Sequence, residues 1–374
     1  MRRNHRIAAF AAAVIMALSV LPFSAAYAQE DKPVYLALGD SITNAYQPGG
    51  SHLTDESFVN ILANEKGYTA VNKGVDGNTA TGILAQIESG ELDEYIKSAE
   101  VITITCGGND LMNLVYEKMA LEFNRYYSSK YGTISGDDII DLLSGGADAQ
   151  QKQLLLIAAL SAIQKLDDPK GYLDEFKASV ESFIENINKV TSAIKTMNPD
   201  AEIFLSTQYN PYEHFTKLTS LSGHLNNCAV ILRQRVIENA TAGQYTVADV
   251  YTAFLGNTAE YCNADDSQYP TGMQIDFHPS VAGHAAIAEC FGQVVPKAKT
   301  NSSTESTDSD PVWGGTTGWE SSRGTDTTAE TTTTNAEVLL PTTGDDTRAA
   351  LAIGMILAAL GITAFVSLKK KQRA

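Results

Sequence analysis

Six residues, Val34-Tyr35-Leu36-Ala37-Leu38-Gly39, run directly into Asp40-Ser41-Ile42-Thr43. A short apolar run with β-forming side chains that ends on glycine reads as a fully buried strand closed by a tight turn. Open α/β sheets place their ligand sites outside the carboxyl ends of the strands. Ser41 therefore stands where a substrate would arrive, although a serine in a strand-to-helix turn is also an ordinary structural residue.

The remainder of the segment from about Asp31 to Lys299 alternates short β-branched runs with helical periodicity, the pattern of one α/β domain. Strands are expected at 34–38, 68–72, 101–106, 202–206 and 246–250. The Thr54-Asp55-Glu56 start and Gly67 stop bound a helix around 54–66. A short helix carrying Ile83, Leu84 and Ile87 follows Gly74-Val75-Asp76-Gly77-Asn78. Residues 111–198 contain no strand pattern; helices are expected near 111–127, 137–145, 148–166 and 170–197. In the last, Phe176, Val180, Phe183, Ile184, Ile187, Ile194 and Met197 keep helical spacing up to Asn198-Pro199. A parallel crossover needs little more than one helix, so about 111–170 reads as a helical insertion, serving as lid, substrate pocket or added packing. Further helices are expected at 218–239 and 280–295.

The two ends have other compositions. Residues 1–28 combine Arg2, Arg3 and Arg6, an apolar run from Ile7 to Phe23, and Ala26-Tyr27-Ala28, which together read as a secretory signal peptide. Residues 300–339 are rich in Ser, Thr, Gly, Asp and Glu and lack the apolar content to fold, so they read as a disordered spacer; both tryptophans, Trp313 and Trp319, lie there. Residues 340–374 comprise Leu340-Pro341-Thr342-Thr343-Gly344, an apolar stretch at 349–368 long enough to span a bilayer, and the basic tail Lys369-Lys370-Lys371-Gln372-Arg373. This order resembles the cell-wall sorting signal of Gram-positive bacteria. The resemblance implies sortase cleavage between Thr343 and Gly344 and covalent attachment to peptidoglycan.

The whole chain of 374 residues carries a formal net charge of −17. Both ends are net basic, so the segment between them is more acidic still. Such a surface repels nucleic acid and anionic lipid, and no basic patch interleaved with aromatics is present. Of four cysteines, Cys106 and Cys228 lie in apolar runs as small buried hydrophobes; Cys262 and Cys290 are the one pair to consider as a disulfide.

Four short blocks fall at the carboxyl ends of expected strands: Gly39-Asp40-Ser41-Ile42, Gly77 with Asn78, Gly107-Gly108-Asn109-Asp110, and Asp276-Phe277-His278-Pro279. Each is weak alone: Gly77 suits a turn, Asn109 a helix cap, and His278 a structural role. In this order they resemble the SGNH (GDSL-type) hydrolase family over about residues 31–298. The resemblance implies a three-layer α/β/α, flavodoxin-like fold with about five parallel strands and hydrolysis of carboxylic esters without a cofactor. It implies Ser41 as nucleophile, His278 as its base, and an oxyanion hole formed by the Ser41 and Gly77 backbone N–H groups and the Asn109 amide. The chemistry fits, because a serine hydroxyl needs a neighbouring base and the developing oxyanion needs fixed donors.

One departure concerns the acid. The family's last block reads Asp-x-x-His, whereas Ile275 stands three residues before His278 and Asp276 stands two before. Either Asp276 orients the imidazole or a main-chain carbonyl does so in a Ser–His dyad. Asp40 and His284 are assigned to structure, and His52, His214 and His224 lack metal-ligand spacing. No zinc-protease, phosphate-loop or dinucleotide motif stands out. Two functions fit: a wall-anchored esterase acting on acylated glycans or lipids, with Ser41, His278 and Asp276 catalytic, or an idle surface adhesin or glycan-binding module on the same fold.

Overall fold

The computed structural model describes residues 32–142, 146–268, 274 and 276–299. The expected signal peptide, spacer, sorting signal and membrane span, with Thr343, Gly344, Trp313 and Trp319, lie outside the described residues. No helix among the described residues is long and apolar enough to cross a membrane.

Five strands form one parallel sheet: β1 (Val34–Gly39), β4 (Thr69–Gly74), β5 (Ala99–Thr105), β6 (Glu202–Ser206) and β7 (Thr246–Ala248). Their spatial order is β4-β1-β5-β6-β7, with β1 paired to β4 and β5 on its two sides. A separate antiparallel hairpin joins β2 (Tyr46–Gln47) to β3 (Ser51–His52). The chain has the expected three-layer α/β/α, flavodoxin-like architecture, a parallel five-stranded sheet between layers of helices.

The apolar run of β1 serves both layers because successive side chains point to opposite faces. Leu36 and Leu38 enter one core with α2 (Ala80–Glu88), α3 (Asp93–Ser98) and α7 (Leu173–Met197). Tyr35 and Ala37 enter the other with α1 (Phe58–Lys66) and α11 (Val281–Val294). Full burial of one such large apolar side chain contributes about 1.5–3 kcal/mol, so β1 is pinned from both sides. Ser57 caps α1 by accepting the Asn60 N–H at 3.2 Å. That cap starts the helix four residues later than the Thr54 start expected from the sequence.

Between β5 and β6 the chain forms α4 (Gly108–Tyr131), α5 (Gly136–Asp141), α6 (Ala149–Leu166) and α7, with no strand among the described residues. α4 begins directly at the end of β5 and packs against α6, so the expected insertion grows out of the sheet edge that carries Ser41. The chain continues through α8 (Thr219–Asn239), α9 (Val250–Phe254) and α10 (Thr258–Tyr261). β7 stops at Ala248, two residues short of the expected strand, because α9 begins at Val250. Cys106, Cys228, Cys262 and Cys290 are buried free thiols. The Cys262–Cys290 disulfide considered from the sequence is thereby corrected: both residues pack as small apolar groups in the core around α11.

Candidate active site

The turn after β1 is built on Gly39. Its φ is +145°, and a Cβ there would lie 2.3 Å from the Thr105 carbonyl oxygen and 2.5 Å from Thr105 Oγ1. Only glycine permits β1 and β5 to approach so closely here. The Asp40 N–H donates to Thr105 O at 3.0 Å, and Asp40 Oδ1 accepts the Ile42 N–H at 3.0 Å and the Thr105 hydroxyl at 2.8 Å. Asp40 therefore folds the turn rather than facing a reacting group. Burial, only partly offset by these hydrogen bonds, pushes its carboxyl up to about 6. The result is a rigid loop that presents Ser41.

His278 reaches Ser41 from the segment before α11. Its Nε2 lies 2.9 Å from Ser41 Oγ, and its Nδ1 lies 2.8 Å from Asp276 Oδ1. The same carboxylate oxygen accepts the His278 backbone N–H at 2.9 Å. A carboxylate can only accept, so Nδ1 carries the proton and Nε2 is left to accept the Ser41 hydroxyl hydrogen. Neighbouring contacts fix the segment: the Asn263 N–H donates to His278 O at 3.0 Å and the Tyr209 hydroxyl to Phe277 O at 2.9 Å. The imidazole packs between Phe277 and Tyr46, with ring centroids 4.4 and 4.5 Å away. Ser41 and His278 are 3% and 5% exposed, so this hydrogen-bond relay is largely shielded from water.

Gly77 follows β4 and Asn109 follows β5, the two neighbours of β1, so both stand at the edge that carries Ser41. Gly77 adopts φ 77°, in the left-handed region that favours glycine. The loop is tied to the Ser41 turn by the Val75 N–H, which donates to Gly39 O at 3.0 Å. Asn109 is buried and donates through Nδ2 to Asn78 O at 2.9 Å, which leaves its second amide hydrogen for another acceptor. Among the described residues, neither the Ser41 nor the Gly77 backbone N–H has an acceptor. Asp110 accepts the Ala80 N–H at the start of α2 at 3.2 Å, and burial pushes its carboxyl up to about 6.

Thus Ser41, His278 and Asp276 are joined directly, while Gly77 and Asn109 are joined through Asn78. Of the two alternatives for orienting His278, the carboxylate of Asp276 occupies Nδ1. Sequence reading gave no functional role to Tyr46, Gln47, His52, Asn44 or Asp76. His52 Nε2 lies 2.9 Å from Asp76 Oδ2, and the Asn44 amide donates to Asp76 Oδ1 at 2.9 Å. No periodic signal marks this group, because its hairpin strands are two residues long. His284 is fully buried, accepts the Phe58 N–H at 3.4 Å, and is held down to about 4 by burial. No three His, Cys, Asp or Glu among the described residues are placed to hold a metal ion.

A parallel α/β fold with a Ser–His–Asp relay at the carboxyl edge of its sheet defines the hydrolase class of protein. The chain belongs to the GDSL-like lipase/acylhydrolase family, whose model matches residues 37–286. It is similar to the uncharacterized protein YpmR of Bacillus subtilis, with 20% identity over 71% of this chain and 82% of that one. Among solved structures it is similar to phospholipase A1 from Streptomyces albidoflavus, at 15% identity and TM-score 0.46, covering 71% of this chain and all of that one. It is likewise similar to an extracellular lipase from Streptomyces rimosus, at 14% identity and TM-score 0.46, covering 70% of this chain and all of that one.

Proposed function

We propose that this protein is a serine esterase or lipase-like hydrolase that cleaves carboxylic esters through an acyl-enzyme on Ser41. The observation that carries the reading is the continuous relay from Asp276 through His278 to Ser41, with contacts of 2.8 and 2.9 Å.

Ser41 Oγ attacks the ester carbonyl carbon while its proton passes to His278 Nε2. The imidazolium so formed is stabilised by the Asp276 carboxylate. The carbonyl oxygen becomes an oxyanion and accepts hydrogen bonds from the Ser41 N–H, the Gly77 N–H and the free amide hydrogen of Asn109. Such preorganised donors act strongly because they need no rearrangement as charge develops. Collapse breaks the bond to the alkoxy group, which leaves as an alcohol with the proton from His278. Water then repeats the sequence on the acyl-enzyme, releasing the carboxylic acid and restoring Ser41. A carboxylic ester, as an acylated glycan or lipid, is the substrate class, and each step is completed by groups of this chain and water.

The compositions of residues 1–28 and 340–374 support a second part of the reading, that the working protein is exported and then joined through Thr343 to the peptidoglycan of a Gram-positive wall. Wall fragments released by a muramidase should then carry a peptide that ends at Thr343 in cross-linkage. Free Gly344 and downstream residues on the wall-bound protein would refute the anchor.

For the activity, the purified domain is treated with a fluorophosphonate and assayed with acetyl, short-chain and long-chain esters. The expected result is labelling at Ser41 and turnover of at least one ester class, both lost in Ser41→Ala. A folded wild-type protein that neither labels nor turns over any ester would overturn the reading.

A further inference from the structure

The β2–β3 hairpin touches three of the four segments that supply the proposed machinery, those of Ser41, Gly77 and His278. It follows the Ser41 turn directly, and the Tyr46 N–H donates to Ser41 O at 2.9 Å. Tyr46 packs on the His278 ring, and the Gln47 amide donates to Pro279 O at 2.9 Å, so the first strand holds the His278 segment. The second strand supplies His52, whose ring meets Tyr46 edge-on at 5.7 Å and whose Nε2 reaches Asp76 at 2.9 Å. Asp76 immediately precedes Gly77.

Two further features make this a braced junction. Ala45, which leads into the hairpin, is fully buried at φ 57°, a left-handed conformation that non-glycine residues adopt only under structural constraint. Its carbonyl accepts the Leu53 N–H at 2.9 Å, which closes the hairpin base. On the other side, a Cβ on Gly74 would lie 2.6 Å from the Asn44 backbone nitrogen, so the Gly77 loop and the Ser41 loop run in close backbone approach. Asp76, on the Gly77 loop, accepts from Asn44 of the Ser41 loop on one oxygen and from His52 of the hairpin on the other.

We propose that His52 is a positioning residue: by fixing Asp76 it sets the Gly77 N–H relative to Ser41 and His278. The inference rests on the reading of Gly77 as an oxyanion donor. A carboxylate only accepts, so His52 carries a hydrogen on Nε2 and donates it to Asp76. His52 does not belong to the core; its side chain is 38% exposed and the Asp76 side chain 15%. Its removal therefore loosens the loop without removing a packed core group. A donor displaced by a fraction of an ångström stabilises the oxyanion less, whereas ground-state binding of a small ester is little affected.

The test compares wild type, His52→Ala and His52→Gln with 4-nitrophenyl acetate, and follows amide hydrogen exchange in the 74–79 peptide. Glutamine retains an N–H donor at the end of a side chain of similar reach. The expected result is a loss in kcat of about tenfold or more for His52→Ala, with KM within about twofold. The same variant should exchange faster in the 74–79 peptide at an unchanged melting temperature, and His52→Gln should recover most of kcat and of the protection. An active wild type with His52→Ala kcat within twofold would overturn the brace, as would failure of His52→Gln to restore either quantity. An inactive wild type would count against the hydrolase reading itself. In that case the exchange measurement alone decides the brace: unchanged protection of 74–79 in His52→Ala refutes it.

Discussion

Asp276 holds His278 through a single carboxylate oxygen, Oδ1, which accepts both the His278 backbone N–H at 2.9 Å and the ring Nδ1–H at 2.8 Å. This local ring forms because the acid lies only two residues before the histidine. The backbone bond fixes the carboxylate before the side chain is engaged, so the shortened spacing adds an anchor. Asp276→Asn keeps the size of the side chain but lets its NH₂ face Nδ1, which favours the tautomer with the proton on Nε2. Esterase kcat is expected to fall by about 10²–10⁴, with the melting temperature changed little. A loss of less than tenfold would mean that His278 needs no carboxylate.

Asn109 is expected to act on the transition state rather than on binding. Its amide is oriented by Asn78 O at 2.9 Å, which leaves one hydrogen for the developing oxyanion. Asn109→Ala removes that donor and should lower kcat about 10²–10³-fold, equivalent to about 2.7–4 kcal/mol, with KM nearly unchanged. Steady-state kinetics on a soluble ester separate the two constants. A rise in KM at constant kcat would assign Asn109 to substrate binding.

The parallel sheet was legible in the sequence because β1, β5 and β6 carry mostly apolar runs and the loops after β1, β4 and β5 carry distinct polar blocks. Ser41, Gly77, Asn109 and His278 stand out for that reason: strand order brings their loops to one edge. Asp276 was less legible, since residue spacing in a loop does not encode its path. The Tyr46–His52 hairpin was invisible. Strands of two residues have no period, and the turn residues Pro48-Gly49-Gly50 indicate a loop without saying what it covers. His52 looked idle because its partner, Asp76, is brought to it by the sheet. Cys262 and Cys290 carried a signal that packing overrode, since both serve as apolar filling.

The helical insertion is joined to the frame by a buried charge. Glu122 on α4 is 1% exposed; its Oε2 accepts from Lys165 at 2.7 Å and from Ser161 at 2.8 Å, and its Oε1 accepts the Tyr172 hydroxyl. Burial opposes ionisation, but the Lys165, Tyr172 and Ser161 hydrogen bonds outweigh it and hold the carboxyl below its ordinary range. Glu122→Leu leaves Lys165 and Tyr172 without their acceptor and is expected to cost about 2–4 kcal/mol. Urea denaturation measures this, and an unchanged midpoint would show that the cluster contributes nothing net.

Acid stability should depend on His284. Burial holds it down to about 4, whereas in the unfolded chain it titrates near 6.5. Between those values the unfolded state binds a proton that the folded state does not, so stability is lost as pH falls from about 6.5 towards 4. The loss from this one group reaches about 2–3 kcal/mol by pH 4.5. Asp40 and Asp110 act in the opposite sense. Burial pushes both up to about 6, so the folded state takes protons first and gains stability as pH falls through that range. The wild-type profile alone therefore understates the His284 contribution. The difference between wild type and His284→Gln isolates it, because glutamine stays neutral and can still accept the Phe58 N–H. Urea unfolding at pH 7.5, 5.5 and 4.5 should show the wild type losing about 2–3 kcal/mol relative to the variant across the series. Parallel profiles would mean that the folded protein accepts a proton on His284 without penalty.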